Sequence, residues 1–176
     1  MNPKQRCTWP SNPLAIAYHD KEWGVPERNE RKLFECLILE GAQAGLSWDT
    51  ILAKRQNYRR AFDGFDFRKV AAYGARERRR LLADAGIVRH AGKIDATIEN
   101  ARRVLGLKKE LGSFSKYLWS FAGQNAEALS RDLRKRGFRF VGPTTVYAFM
   151  QAVGMVNDHL TTCFRHPECA KLTKRK

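Results

Sequence analysis

Residues 33–52 read LFECLILEGAQAGLSWDTIL, and this stretch carries an acid where an acid is unusual. Leu33, Leu37 and Glu40 are spaced by four and three residues, so a helix face that begins with leucine ends with a carboxylate. A single glutamate at a helix end more often marks the point where the helix reaches water. The aromatic residues elsewhere in the chain favour a functional reading of Glu40.

A turn and a second helix follow the acid. We expect Gly41 and Gly45 to interrupt the helical pattern, because glycine is a poor helix former. Ser47 is a suitable N-cap for a helix starting at Trp48, with Asp49 in its first turn. The pattern therefore predicts a glycine turn flanked by Glu40 and Trp48.

Aromatic residues are concentrated near the N-terminus and at this turn. The chain has four tryptophans, and Trp9 and Trp23 lie close in sequence to Tyr18. A carboxylate among aromatic rings is the composition of a cavity that stacks a flat ligand and accepts its N–H protons. A desolvated carboxylate there would suit a cationic or proton-donating ligand.

The overall charge indicates a polyanionic partner. The 176 residues include 33 Lys and Arg against 18 Asp and Glu, a formal net charge of +15. The sequence has neither an apolar run long enough for a membrane span nor a signal peptide, so we expect a cytoplasmic protein and no membrane partner. In that compartment the four cysteines are expected to be thiols or metal ligands and not disulfides.

Short amphipathic segments separated by glycines predict an all-α fold. Gly106 is one of the expected helix ends, and Arg55, Arg59 and Arg60 are expected on the outer face of the helix that begins at Trp48. We assign residues 1–170 to a single domain and residues 171–176 to a basic disordered tail. Other helices are expected at residues 14–22, 65–73, 76–85, 90–105, 113–121, 125–136, 143–153 and 157–164.

Two Cys and His pairs lie near the ends of the chain. Cys7 and His19 form the first, and His159 and Cys163, at helical i, i+4 spacing, form the second. Together they would supply the four N and S ligands of a structural zinc site. The wide separation of the pairs leaves two alternatives open: four unrelated buried residues, or participation of the downstream pair, His166 and Cys169.

The segment RGFRFVGPTT, residues 136–145, predicts a turn between two helices. Gly142 permits close backbone approach, Pro143 suits the first helical position, and the free N–H groups near Thr144 and Thr145 would bind an anion. This is how a helix-hairpin-helix motif holds a DNA phosphate without reading sequence. Arg89 and Lys93, beside another glycine turn, are further candidate phosphate contacts.

Three segments carry a family resemblance: IAYHDKEWGVP at residues 16–26, LEGAQAGLSW at 39–48, and VNDH at 156–159. They resemble the DNA-3-methyladenine glycosylase I family over about residues 7–163. The resemblance implies the helix-hairpin-helix DNA glycosylase fold. It also implies a monomeric enzyme that flips 3-methyladenine out of double-stranded alkylated DNA and hydrolyses the N-glycosidic bond.

The resemblance also implies roles for individual residues. The residue matching Glu40 would hold the base, and the matching aromatics Trp9, Tyr18, Trp23 and Trp48 would form the pocket. Zn2+ would bind the residues matching Cys7, His19, His159 and Cys163 and would tie the termini together. Gln43, Gly45 and Leu46, at the pocket mouth, are candidates for probing the gap left by the flipped base.

Three positions depart from expectations for the wider superfamily or the family. Asn157 stands where helix-hairpin-helix glycosylases generally carry an aspartate, so we expect Glu40 to be the catalytic carboxylate, with water as the nucleophile. Thr144 stands where bifunctional relatives have a Schiff-base lysine, which predicts no strand cleavage. Ala15 stands where family members often have a tyrosine, which would open one pocket wall.

Two other function classes compete with the glycosylase. A non-catalytic zinc-stapled helix-hairpin-helix DNA-binding protein would have no use for a carboxylate between tryptophans. An RNA-binding protein would usually present its stacking aromatics on strands, which this sequence almost lacks. The glycosylase is therefore the preferred hypothesis.

Overall fold

The computed structural model describes residues 4–174, and within that range the chain is helical with no strand. The all-α prediction is therefore confirmed. The described helices are α1 Pro13–Lys21, α2 Glu30–Gln43, α3 Trp48–Ala61, α4 Phe67–Ala71, α5 Ala75–Ala83, α6 Ala91–Leu111, α7 Phe114–Trp119, α8 Ala126–Lys135, α9 Pro143–Ala152 and α10 Arg165–Lys174, with a 3₁₀ turn at Asp63–Phe65.

Helix α2 lies at the centre of the core. It packs against α3, α6, α7 and α9. Its Leu33, Phe34, Leu37 and Leu39 are all at most 1 % exposed, so the helix is covered on more than one face. An acid in this helix therefore lies inside the protein unless an opening reaches it. No helix of residues 4–174 is long and apolar enough to cross a membrane.

The predicted N-cap of α3 is present, and α9 begins at Pro143 as expected. The Ser47 hydroxyl accepts from the backbone N–H of Thr50 at 3.2 Å, as expected for a helix that begins at Trp48. Gly142 is the N-cap residue of α9, and Pro143 occupies the first turn.

Two expected glycine breaks are wrong. Helix α2 continues through Gly41 to Gln43, and α6 continues through Gly106 to Leu111, where Gly112 at φ 81° forms the cap. Gly41 serves packing instead, because a Cβ there would lie 3.2 Å from the Cβ of Phe140. The glycine lets α2 approach the turn between α8 and α9 closely.

The predicted position of the C-terminal helix is also wrong. Residues 157–164 form turns and bends, and the helix is α10, Arg165–Lys174. His159 and Cys163 therefore do not meet on a helical face. The expected disordered tail is wrong for residues 171–174, which belong to α10, while residues 175–176 lie outside the described part. The single-domain boundary at residue 170 stays a prediction.

Arg55 does not face outward as expected. It is 9 % exposed, and its Nε donates to Glu35 Oε1 at 2.6 Å while its Nη2 pairs with Glu22 at 2.8 Å. Arg59 donates to the same Glu35 oxygen at 2.9 Å. Buried charges are stable only when they are paired in this way. The network fixes α3 against α2 behind the aromatic ring of Tyr18.

The connection between α8 and α9 is held by side chains of α6 and α8. The amide of Asn100 donates to Arg139 O at 3.0 Å and accepts from Arg139 N at 2.8 Å. The Ser130 hydroxyl donates to Val141 O at 2.7 Å. These bonds hold residues 139–141 in place, so the hairpin between α8 and α9 has a fixed shape.

Gly154 permits a close approach that shapes the segment after α1. Its φ is 72°, and a Cβ would lie 2.5 Å from the backbone nitrogen of Pro26 and 2.6 Å from the carbonyl carbon of Val25. The Glu27 N–H donates to Val153 O at 3.1 Å in the same region. This contact holds the loop containing Trp23 against the end of α9.

We predict that Gly154→Ala lowers the free energy of unfolding by about 2 kcal/mol or more, because it adds both a strained φ and a backbone clash. Gly106→Ala is the matched control, since it lies inside α6 with open space at its Cβ position. That change should be neutral or stabilise by up to about 1 kcal/mol. Urea unfolding of the two variants measures the difference, and equal stabilities would contradict the proposed clash.

Candidate active site

A cleft of about 470 Å³ opens beside the C-terminal half of α2. It brings together all five residues predicted for a ligand pocket: Trp9, Tyr18, Trp23, Glu40 and Trp48. They come from the N-terminal segment, α1, the following loop, α2 and α3. Four further residues line the cleft: Gln43, which the sequence placed at its mouth, and Ala148, Gln151 and Asp158, for which the sequence indicated no role.

Glu40 lies deep in this cleft. It is 6 % exposed, and burial raises the pKa of its carboxyl to about 8. Among residues 4–174 no side chain forms an ion pair with it, and no group donates a hydrogen bond to its carboxylate. A buried acid without a partner is costly to ionise. The site is therefore suited to a ligand that supplies positive charge or N–H donors.

Aromatic rings form the walls around the acid. The ring centroids of Trp9 and Trp23 are 5.3 Å apart, and those of Tyr18 and Trp48 are also 5.3 Å apart. The indole N–H of Trp48 is buried with no hydrogen-bond partner in the described chain. Flat apolar walls with unsatisfied polar groups are typical of a site for a planar, hydrogen-bonding ligand.

A smaller cleft of about 250 Å³ continues from the same acid toward the hairpin. It is lined by Glu40 and the turn residues Gln43, Gly45 and Leu46, and on the other side by α9. Leu46 is 40 % exposed there. Thr144 and Thr145, which were predicted to bind phosphate, contribute the α9 side of this cleft. The turn and the hairpin therefore face one continuous surface at the cavity mouth.

Lys93 and Arg89 differ in how available their charged groups are for binding a phosphate. The Lys93 ammonium donates to Ala42 O at 2.8 Å and to Ala44 O at 2.7 Å, and burial lowers its pKa. It therefore satisfies carbonyl groups at the end of α2, which the sequence did not predict. Arg89 is exposed. Of the two residues, Arg89 is the freer cation.

Cys7, His19, His159 and Cys163 meet in one buried cluster. Their ligand atoms all lie within 4.8 Å of one another. Cys163 Sγ is 3.5 Å from His19 Nε2 and 3.7 Å from His159 Nδ1. These four side chains could hold a metal ion. His166 and Cys169 do not belong to the cluster, although Cys169 is buried nearby.

The outward ring nitrogens of the two histidines also have partners. His19 Nδ1 lies 2.8 Å from Asp20 Oδ1, and His159 Nε2 lies 3.1 Å from Trp23 O. Burial is the main cause that lowers the pKa of His159 to about 4, which keeps the ring neutral. A neutral ring oriented by a second hydrogen bond is the usual state of a metal-binding histidine.

The cluster and the cavity share a wall. The ring centroid of Trp23 is 4.5 Å from that of His159, and the ring centroid of Trp9 is 5.5 Å from that of His19. The two tryptophans thus line the cavity and also cover the cluster. Whatever stabilises the cluster also fixes these two rings.

Comparison with known proteins identifies the family. A family model described as methyladenine glycosylase matches residues 8–127 and 122–166. The chain belongs to the methyladenine glycosylase family. The DNA-3-methyladenine glycosylase 1 of Escherichia coli strain K12 is 49 % identical over 182 aligned positions, covering 93 % of this chain and 97 % of that protein.

Solved methyladenine glycosylase structures have the same fold. A crystal structure of 3-methyladenine DNA glycosylase I superposes with a TM-score of 0.89 at 51 % identity and covers 93 % of this chain and 100 % of that one. A variant of another 3-methyladenine DNA glycosylase I, in complex with 3-methyladenine, superposes with a TM-score of 0.85 at 36 % identity. That alignment covers 89 % of this chain and 94 % of the other.

The raised pKa of Glu40 predicts how the stability of the fold depends on pH. The folded protein retains the Glu40 proton up to a pH of about 8, whereas an ordinary glutamic acid loses it near 4.5. Glu40 therefore destabilises the fold progressively as the pH rises between these two values. Glu40→Gln removes that effect, so its Tm should exceed the wild-type Tm by an amount that grows from pH 4.5 to about 8 and then stays constant.

Thermal unfolding of both proteins across this pH range measures the difference. Glu110→Gln is the control because Glu110 is exposed outside the cavity and pairs with Arg136 at the surface. Its Tm difference from wild type should not grow in this window. A Tm difference for Glu40→Gln that does not depend on pH would contradict the raised pKa.

Proposed function

We propose that this protein is a monofunctional DNA glycosylase that excises 3-methyladenine from double-stranded alkylated DNA and leaves an abasic site. The observation that carries the proposal is the partnerless Glu40 carboxyl at the floor of an aromatic cleft. The similarity to DNA-3-methyladenine glycosylases over more than nine-tenths of the chain supports the same conclusion.

The cleft fits the chemistry of this base. Methylation at N3 gives the adenine of the nucleotide a positive charge, which would bring Glu40 into its ionised form and supply the ion-pair partner that Glu40 does not have within residues 4–174. The rings of Tyr18 and Trp48 would stack on the flipped base. Flipping costs a few kcal/mol, and a damaged, poorly paired base costs least.

The bond that breaks is already weak. When the C1′–N9 bond cleaves, the electron pair goes to N9 and the cationic base leaves as neutral 3-methyladenine, so no strong general acid is needed. Water adds to C1′ of the sugar. Glu40 would contribute by binding the flipped base and fixing its orientation for cleavage of the C1′–N9 bond.

Two residues support hydrolysis without strand cleavage. Asn157 is engaged in the fold, with its amide donating to His166 O at 3.0 Å, and it replaces the aspartate of the wider superfamily. Thr144 takes the place of a Schiff-base lysine, and no lysine lines the cleft among the described residues. A covalent imine with the sugar therefore has no nucleophile here.

We propose that DNA lies across the surface formed by the turn after α2 and the hairpin before α9. Gly142 and the backbone N–H groups near Thr144 and Thr145 would bind a phosphate at the start of α9. Leu46, with Gln43 and Gly45 beside it, would enter the gap left by the flipped base. This placement puts the duplex directly at the mouth of the cleft.

Arg89 and Lys93 remain proposed phosphate contacts, with Lys93 also stabilising the end of α2. Because Lys93 carries this second role, Arg89→Ala is the cleaner variant. Losing one phosphate contact should weaken binding to any duplex and reduce the slope of log K against log salt by about 1. Fluorescence anisotropy at several salt concentrations measures this slope, and an unchanged slope would place the contact elsewhere.

We propose that the cluster of Cys7, His19, His159 and Cys163 binds one structural Zn2+. Zinc with Zn–S of about 2.3 Å and Zn–N of about 2.0–2.1 Å in tetrahedral geometry requires S···N separations of about 3.6 Å. The S···N separations of 3.5, 3.6 and 3.7 Å in the cluster fit this requirement. The Leu160 N–H, 3.4 Å from Cys7 Sγ, would stabilise a thiolate.

Metal analysis should find one zinc per chain, and Cys163→Ser should lose it. The variant should lose several kcal/mol of stability, because the ion joins residues that are far apart in sequence. Cys36→Ser is the matched control, since Cys36 lies outside the cluster. A wild-type protein that contains no zinc and is unaffected by chelation would refute the site.

We also propose that the protein acts as a monomer in the cytoplasm. The cleft, the hairpin surface and the cluster are all built from one copy of the chain, so no second copy is needed to complete them. Sedimentation of the protein alone and with a short duplex tests the stoichiometry.

The decisive experiment incubates the purified protein with methylated duplex DNA and identifies the released bases by chromatography. Wild type should release 3-methyladenine, and Glu40→Gln should reduce the rate by about 100-fold, as expected when the group that orients the base is lost. Glu110→Gln should match wild type. Undiminished release by Glu40→Gln would refute the role of the carboxylate.

The same experiment tests the competing hypothesis of a non-catalytic zinc-stapled DNA-binding protein. If wild type binds DNA normally but releases no base, the result would favour the hypothesis of a non-catalytic DNA-binding protein. The buried acid argues against it, because a binding module gains nothing from a carboxylate that destabilises its fold.

A further inference from the structure

Asp158 is a second acid in the same cleft, and the sequence analysis assigned it no role. It lines the cavity with Glu40, but it is exposed at the rim, whereas Glu40 is 6 % exposed. Gln151 Nε2 donates to Asp158 Oδ2 at 2.7 Å, and the Tyr147 hydroxyl donates to the same oxygen. Both donors come from α9, so the carboxylate has a fixed position.

The position of this charge is unexpected on an electrostatic basis. The chain carries a net charge of +15, and its proposed DNA surface surrounds the mouth of the cleft. An acid there repels phosphate groups. Even so, no Lys or Arg of residues 4–174 pairs with Asp158, and its Oδ1 accepts no hydrogen bond within that range. One oxygen of a held carboxylate therefore remains available at the rim.

Glu40 lies deep in the cleft and Asp158 lies at its rim, and these two depths correspond to the base and the sugar of a flipped nucleotide. A base that enters the aromatic cleft and reaches Glu40 leaves its deoxyribose level with the rim, because the sugar stays joined to the DNA backbone. Asp158 lies on the α9 side of that rim, beside Ala148 and Gln151. The sugar carbon that loses the base would therefore be near the free oxygen of Asp158.

Charge moves from the base to the sugar during the reaction. As the C1′–N9 bond breaks, its electron pair neutralises the departing base, and the sugar becomes an oxocarbenium cation. Water then adds to C1′, and its proton passes to bulk water. An anion near C1′ is favoured more in this transition state than in the ground state, where the positive charge lies on the base near Glu40.

We propose that Asp158 is a second catalytic carboxylate, which contacts the deoxyribose and stabilises its developing positive charge, with Tyr147 and Gln151 as positioning residues. This proposal rests on the proposed glycosylase function. The two acids then have different roles, since Glu40 binds the base and Asp158 stabilises positive charge on the sugar.

Binding to stable sugar mimics tests the proposal without requiring base release. One duplex carries a pyrrolidine abasic analogue, which is cationic, and the other carries a neutral tetrahydrofuran. Wild type should bind the pyrrolidine duplex about tenfold more tightly, and Asp158→Asn should reduce that preference to less than about twofold. Asp158→Glu should restore part of it, and Glu110→Gln should retain all of it.

Single-turnover excision provides the second measurement. Asp158→Asn should slow release of 3-methyladenine about 30-fold without weakening binding to tetrahydrofuran DNA, whereas Tyr147→Phe, which keeps the carboxylate, should slow it less than about threefold. A wild type without preference for the cationic analogue would overturn the proposal, as would an Asp158→Asn variant that keeps the preference. Failure of wild type to release any base would instead refute the proposed function.

Discussion

The cluster of Cys7, His19, His159 and Cys163 is the constraint on which the cavity depends. The residues of the cleft come from three distant parts of the chain: the N-terminal segment through residue 23, the α2–α3 turn, and α9 with the loop after it. Helix packing places the second and third parts. The first part is held by α1 packing on α3, by the Gly154 contact and by the cluster, on whose two histidines Trp9 and Trp23 pack directly.

Two buried acids of α2 show how environment decides the role of a residue. Glu35 and Glu40 have similar exposure, 5 % and 6 %. Glu35 is neutralised by Arg55 and Arg59, so it contributes to the packing of α3 on α2. Glu40 has no such partner within residues 4–174, and burial raises its pKa. The fold thus tolerates one unpaired acid at the place where a ligand can supply the missing charge.

The sequence predicted much of this site because its signals are local or chemically specific. The Ser47 cap indicated the start of α3, the unusual acid drew attention to Glu40, and the family resemblance selected Cys7, His19, His159 and Cys163 from the alternatives that their spacing left open. The errors have a common physical origin in tertiary contacts. Gly41 reads as a helix breaker, but the approach of Phe140 gives it a packing role. Arg55 reads as a surface residue until Glu35 and Glu22 are seen beside it.

The roles of Asp158 and Lys93 also depend on tertiary contacts that the sequence does not reveal. Asp158 is an ordinary acid in the sequence, and only the position of α9 places it at the cleft. Lys93 reads as a free cation, but folding brings it to the carbonyl groups of Ala42 and Ala44, 51 and 49 residues away. Such pairings across long sequence separations leave no periodic pattern, so they cannot be read from one sequence.

Joining residue 7 to residue 163 also has a consequence for synthesis on the ribosome. Helices α2 to α9 can pack as they emerge, because their contacts lie within the part of the chain already made. The packing of Trp9 and Trp23 on the cluster cannot be completed until its last two residues, His159 and Cys163, have left the exit tunnel. The recognition cleft is therefore assembled last, and a nascent or prematurely terminated chain does not present a finished cleft to DNA.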